Sequence, residues 1–99
     1  MSSVVAPSER LAVAELGCFP VCLQWAPSGA FVAIGGDDGD IRFVDGGGTI
    51  VAKFRAHEGG VTALAWHPRT GELATTGQDQ KVRVWTQVGA DGVTWVRSE

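Results

Sequence analysis

The chain contains no tyrosine, one methionine and only two cysteines, Cys18 and Cys22. Two thiols in 99 residues are too few for a disulfide scaffold, and nothing marks the chain for secretion. The opening MSSVVAPSER has no basic region followed by an apolar core, and every long uncharged stretch is broken by Pro, Gly or Gln. A signal peptide and a membrane-spanning helix are therefore not expected. Positive charge is scarce too. Lys plus Arg number 8 against 11 Asp plus Glu, a net charge of −3, and Arg55, Arg69, Lys81 and Arg83 are scattered among acids. Without a basic patch to collect phosphates, nucleic acid is excluded as the expected partner. No Gly-rich loop leads into Lys and Ser or Thr, so no phosphate cradle is expected. The balance points to a soluble, cytoplasmic protein with no membrane or nucleic-acid partner.

What is abundant is glycine, 14 of 99 residues, about twice the usual ~7% share. It accompanies four tryptophans. The chain also repeats itself. LQWAPSGAFVAIGGDDGDIRFVD at 23–45 aligns without a gap on LAWHPRTGELATTGQDQKVRVWT at 64–86, at a constant offset of 41. Leu23 meets Leu64, Trp25 meets Trp66, Pro27 meets Pro68, Gly36 meets Gly77, Asp38 meets Asp79 and Arg42 meets Arg83. Such a period marks stacked supersecondary units, each unable to bury its apolar surface alone.

Each unit divides into four short strands. VCLQWA and VTALAW are apolar at nearly every position, the pattern of strands covered on both faces. APSG and HPRTG supply turns. AFVAIG and ELATTG follow, then the DDG and QDQ turns, then DIRFVD and KVRVW as alternating strands. TIVAKF and VTWVRS have strand composition after Gly-rich links. The expected class is all-β, organised as a flexible tail at 1–9, an extra strand at 10–16, one four-stranded antiparallel unit at 17–56 and a second at 57–99. No helix of useful length is expected.

Four strands per unit of about 40 residues, with a His near the start and a Trp closing the third strand, resembles the WD-repeat β-propeller family. The second unit, His57 to Trp85, matches its pattern well. The first is degenerate, with Val44 in place of the Trp and Leu16 or Gly17 in place of the His. The resemblance implies two propeller blades and, in the second, a hydrogen-bonded group of His57, Thr75, Asp79 and Trp85. There the Asp79 carboxylate accepts from the His57 ring, the other ring nitrogen meets the Thr75 hydroxyl, and that oxygen accepts the Trp85 indole N–H. In the first blade Leu16, Ile34 and Val44 replace these partners. Asp38 is then expected to bond its own turn, and apolar packing to hold the blade.

The same residues offer other chemistries. His57, Asp79 and a hydroxyl have the makings of a hydrolase set, but Thr is a poor nucleophile without activation and no glycine-flanked nucleophile turn is present. GGDDGD at 35–40 lacks the twelve-residue spacing and closing Glu of the helix–loop–helix calcium motif. Cys18, Cys22, His57 and His67 could supply four zinc ligands, but the cysteines sit in apolar GCFPVC and His67 enters a turn. No metal or cofactor is expected. Arg42 and Arg83 recur on third strands, which fits pairing with nearby acids or an interaction surface. Phe31, Phe43, Phe54, Trp25 and Trp66 read as core between blades. Trp95 reads as a residue exposed on the last strand or covered by a partner.

Two blades do not close a propeller, which usually has about four to eight. The chain is then part of a longer propeller, or about three to five copies form a homo-oligomeric ring, with four preferred. The initiator Met favours an intact chain. The extra strand at 10–16 competes with VTWVRS for one edge or pairs on the preceding copy. The resemblance implies a non-catalytic scaffold for protein–protein interaction. Alternatives are a ligand- or glycan-binding module, favoured by an exposed Trp95, and an enzyme with a site at the central channel. The second of these would have only Gln24 and Thr62 to work with on the innermost strands.

Overall fold

The Pro- and Gly-bearing links become hairpin turns. The computed structural model describes residues 13–88 and 94–97, with side chains described to Thr86. The strands are β1 (Pro20–Trp25), β2 (Phe31–Gly36), β3 (Asp40–Asp45), β4 (Ile50–Arg55), β5 (Val61–Trp66), β6 (Leu73–Gly77), β7 (Val82–Val88) and β8 (Thr94–Arg97). They form two four-stranded antiparallel sheets, ordered β1-β2-β3-β4 and β5-β6-β7-β8. These are two propeller-like blades, and among the described residues no closed barrel is formed. The expected tail at 1–9 and residues 10–12 of the expected extra strand lie outside the described residues. Residues 13–16 form no strand, and the Val13 backbone instead lies against Gly48 in the β3–β4 turn.

The turns between second and third strands are built alike. Gly39 N–H donates to the Gly36 carbonyl at 3.1 Å, and Gln80 N–H to that of Gly77 at 3.0 Å. Both tip residues take positive φ, 90° for Gly39 and 66° for Gln80. Gly39 has a second reason to be glycine, because a Cβ there would collide with the carbonyls of His57 and Gly59.

Residues opposite one another in an antiparallel pair share a face. In the first blade Ala33 faces Phe43 and Gly35 faces Ile41, while Phe43 faces Ala52 and Ile41 faces Phe54. In the second, Trp66 faces Leu73 and Leu64 faces Thr75, and Leu73 faces Trp85. These two faces meet. The shared core joins Ala33, Ile41 and Phe43 to Val61, Leu64, Leu73 and Trp85, with Phe31, Phe54 and Trp66 packed on it. Aromatic rings bridge the seam: Phe54 lies 4.6 Å from Trp85, and Trp66 lies 5.7 Å from Phe31 and 5.8 Å from Phe43. Such pairs add to the stabilisation from area burial.

Two expectations change. β1 is largely exposed rather than covered on both faces, with Val21, Leu23 and Trp25 at 46%, 59% and 55% exposure, and β5 is covered on one face only, exposing Thr62, Ala63 and Ala65. Trp25 is therefore not core, although its counterpart Trp66 is packed between blades. The cause is local to neither residue. The face carrying Leu64, Trp66 and Leu73 has a blade against it, whereas the equivalent face carrying Leu23 and Trp25 has none among the described residues.

Candidate functional site

The densest polar cluster lies inside the second blade. His57, in the link before β5, is 1% exposed, and Thr75 on β6 is fully buried. His57 Nδ1 lies 2.9 Å from Asp79 Oδ1, and His57 Nε2 lies 2.8 Å from Thr75 Oγ1. Trp85 Nε1 donates to Thr75 Oγ1 at 3.0 Å. An ionised carboxylate has no proton to give, so Nδ1 carries the proton and donates to Asp79. Nε2 is then the acceptor, and Thr75 donates to it while receiving from Trp85. Every polar atom of this buried chain has a partner, as burial requires. The His57 side chain also lies close against Gly77, where any Cβ would collide with it.

Arg83 completes the group from β7. Its Nη1 donates to Asp79 Oδ2 at 2.8 Å and to the Ala56 carbonyl at 3.2 Å. Asp79 also accepts the backbone N–H groups of Lys81 at 3.1 Å and Glu58 at 3.3 Å. The Arg83 guanidinium, with help from the His57 ring and these N–H groups, holds the Asp79 carboxyl well below the usual carboxylate range. Asp79 thereby ties the β6–β7 turn to the link between blades.

The first blade carries a reduced version of the same group, and one of its members was not evident from the sequence. Arg42 is 5% exposed and bonds Asp38, with Nη2 to Oδ2 at 2.9 Å and Nη1 to Oδ1 at 3.3 Å. Its Nη1 also donates to Cys18 Sγ at 3.1 Å, the counterpart of the 3.0 Å approach of Arg83 Nη1 to His57 Nδ1. A Cβ at Gly36 would lie 2.6 Å from Cys18 Sγ, just as one at Gly77 would strike the His57 ring. Cys18, not Leu16 or Gly17, therefore occupies the histidine's place. The alignment hides this because Cys18 comes two residues later in its unit than His57 does. The only signal was its position shortly before the first strand of the unit. Asp38 has Arg42 and Cys18 as neighbours as well as the N–H of Asp40 at 3.1 Å, more than the bare turn expected. The Arg42 guanidinium lowers the Asp38 carboxyl's pKa. Burial raises that of the Cys18 thiol, partly opposed by Arg42.

These contacts bear on the other chemistries. The Thr75 hydroxyl and His57 ring are sealed from solvent, so no substrate carbonyl can approach them. A Cβ at Gly35 would meet Cys22 Sγ and one at Gly36 would meet Cys18 Sγ. Successive Cβ positions on a strand point to opposite faces, so the two thiols are on opposite sides of β2 and cannot share a zinc ion. Cys18 Sγ and carboxylate oxygens of Asp37 and Asp38 do lie within 4.8 Å of one another. The Arg42 guanidinium, bonded to two of the three, already supplies the positive charge there. Of the innermost-strand residues, Thr62 bonds Thr76 at 2.8 Å, and the main-chain carbonyl of Gln24 accepts Trp66 Nε1 at 3.2 Å. Arg42 and Arg83 are engaged inside their own blades rather than displayed. Trp95 sits on β8 opposite Gln87, and its side chain lies outside the described residues. No helix among the described residues is long and apolar enough to cross a membrane.

Comparison with known proteins agrees with this architecture. The family model described as "WD domain, G-beta repeat" matches residues 13–45 and 48–86. The chain is 39% identical over 71 residues to Actin-interacting protein 1 of Drosophila melanogaster, covering 69% of this chain and 12% of that protein. It is 33% identical over 79 residues to WD repeat-containing protein 1 of Gallus gallus, covering 76% and 13%. It is 32% identical over 81 residues to Actin-related protein 2/3 complex subunit 1A of Arabidopsis thaliana, covering 77% and 21%. The chain thus spans only about an eighth to a fifth of the length of these relatives.

Proposed function

Because the chain belongs to the WD-repeat family, we propose that its two blades serve as a non-catalytic scaffold for protein–protein interaction, completed into a ring by further blades. The observation that carries this reading is that each outward blade face leaves apolar side chains exposed, although Ile34 and Val44 beside Leu23 and Trp25 are buried. Leu23 and Trp25 lie on one at 59% and 55% exposure, and Val82 on the other at 65%. Exposed apolar residues gathered on a blade face mark a surface meant to be covered. In this reading the His57–Thr75–Asp79–Trp85 group is a structural brace. It fixes the β6–β7 turn so that the blade is a rigid support for loops.

The blades that complete the ring are copies of the same chain. About three to five copies close it, with four and eight blades preferred. Repetition of one head-to-tail interface gives such closure without any new contact. Two thiols on opposite faces of β2 fit a cytoplasmic, reducing setting. One relative is named as actin-interacting and another as a subunit of an actin-related complex, so actin is the first external partner to test. Light scattering of the 99-residue chain tests assembly, and a stable monomer at all concentrations sinks the ring. Co-sedimentation with filamentous actin tests the partner, and a chain left wholly in the supernatant removes it.

A further inference from the structure

The repeat makes a specific demand on the two open faces. Trp66 is one of two tryptophans, with Trp85, that the second blade sets against the first. It packs on Phe31 and Phe43 and donates its indole N–H to the Gln24 carbonyl. Shifting that receiving surface by the 41-residue offset carries Gln24, Phe31, Ala33 and Phe43 onto Ala65, Glu72, Ala74 and Val84. Those four residues, with Trp66 and His67, line an open pocket of about 280 Å³ on the far side of the second blade. A cavity of about 150 Å³ takes a benzene ring, so this one has room for an indole. The pocket is large because smaller side chains replace two aromatic rings, Val84 standing for Phe43 and Glu72 for Phe31.

The matching knob is at the other end of the molecule. Trp25 is the repeat counterpart of Trp66 and pairs with Val32, as Trp66 pairs with Leu73, so both indoles belong to the same blade face. Trp66 has a neighbouring blade to enter, and Trp25 stands 55% exposed. We propose that Trp25 of a second copy of this chain seats in the Ala65–Glu72–Ala74–Val84 pocket, joining copies head to tail. The seated indole N–H meets the Ala65 carbonyl, as that of Trp66 meets Gln24. Knob and pocket are on opposite ends of one chain, so each added copy presents a fresh pocket and the interface repeats until the ring closes.

This inference rests on the ring reading above, and two variants separate them. Trp25→Ala removes the knob from an exposed position, and Ala65→Trp fills the pocket at another exposed position. Wild-type chain and each variant are compared by sedimentation velocity over a concentration series, alone and mixed. The expected result is assembly of wild type and at least about 30-fold weaker association for each variant alone, the loss typical of a central interface tryptophan. An equimolar mixture should form one-to-one heterodimers and nothing larger. The Ala65→Trp chain keeps its knob and the Trp25→Ala chain keeps its pocket, so the pair has one good interface. This recovery also shows that both variants are folded. Wild-type assembly that Trp25→Ala leaves unchanged, or variants that never pair on mixing, overturns the knob and pocket while leaving the ring. A monomeric wild type overturns both.

Discussion

Thr75→Val is the sharpest test of the brace. Valine keeps the shape of the side chain and its β-branching, so packing against Leu64 and the rest of the face is nearly unchanged. The hydroxyl alone is lost, and with it two partners. The Trp85 indole N–H, in a residue 7% exposed, loses its acceptor, and His57 Nε2, in a ring 1% exposed, loses its donor. Each stranded buried group costs about 1–3 kcal/mol. Relief from burying the hydroxyl itself offsets part of this, leaving a loss of about 2–4 kcal/mol. A domain of this size has a total stability of roughly 5–15 kcal/mol, so the change is a large fraction of it. With a urea slope of about 1–3 kcal/mol per molar, the midpoint should fall by at least about 0.7 M. Urea unfolding followed by tryptophan fluorescence, at one protein concentration, measures this directly. Thr75→Ser keeps the hydroxyl and loses only a methyl group, so it should cost about 1 kcal/mol. A cycle with Trp85→Phe isolates the indole–hydroxyl bond, with a coupling of about 0.5–3 kcal/mol. A Thr75→Val chain within about 0.5 kcal/mol of wild type, or equal losses for Val and Ser, would refute the brace.

Three further outcomes follow from particular residues. Asp79 and Asp38 have folded-state pKa values below their unfolded values, so the stability they supply is present above the ordinary aspartate pKa of about 3.9 and is lost as pH falls through the folded value; Asp79→Asn should flatten the acid limb of a stability-against-pH curve, and an unchanged limb would count against its ion pair. Gln80 holds φ at 66°, where its counterpart is Gly39, so Gln80→Gly should raise stability by about 1 kcal/mol, read as a higher thermal midpoint; a lower midpoint would show that the turn is not strained. Cys18 accepts from Arg42, which Asp38 in turn holds in place, while Cys22 faces the other side of β2, so Asp38→Asn should speed labelling of Cys18 by a disulfide reagent severalfold and leave Cys22 unchanged, as read by mass spectrometry. Equal acceleration of both thiols would mean general loosening instead of loss of a local bond.

Much of this architecture is written in the sequence because its causes are local. The Pro and Gly punctuation sets the turns, and β3 and β5 coincide with DIRFVD and VTALAW as read from alternation and apolar runs. The residues of the second-blade group were legible only through the resemblance to the WD-repeat pattern, since the first unit carries Ile34 and Val44 where the second has Thr75 and Trp85. Cys18 was not legible, since a thiol two residues out of alignment reaches the histidine's place only through the path of the chain over Gly36. Arg83 was legible as a partner for an acid but not as the residue that ties Asp79 to the Ala56 carbonyl.

The sequence by itself determines that there are two equivalent units, where their strands run, and that Trp25 and Trp66 are counterparts. Only the tertiary structure decides that these two identical side chains meet different fates. Burial depends on what stands across a sheet face, not on the strand that carries the residue. Trp66 has the first blade across from it, and Trp25 faces outward from the end of the pair, opposite in position to a pocket on the second blade.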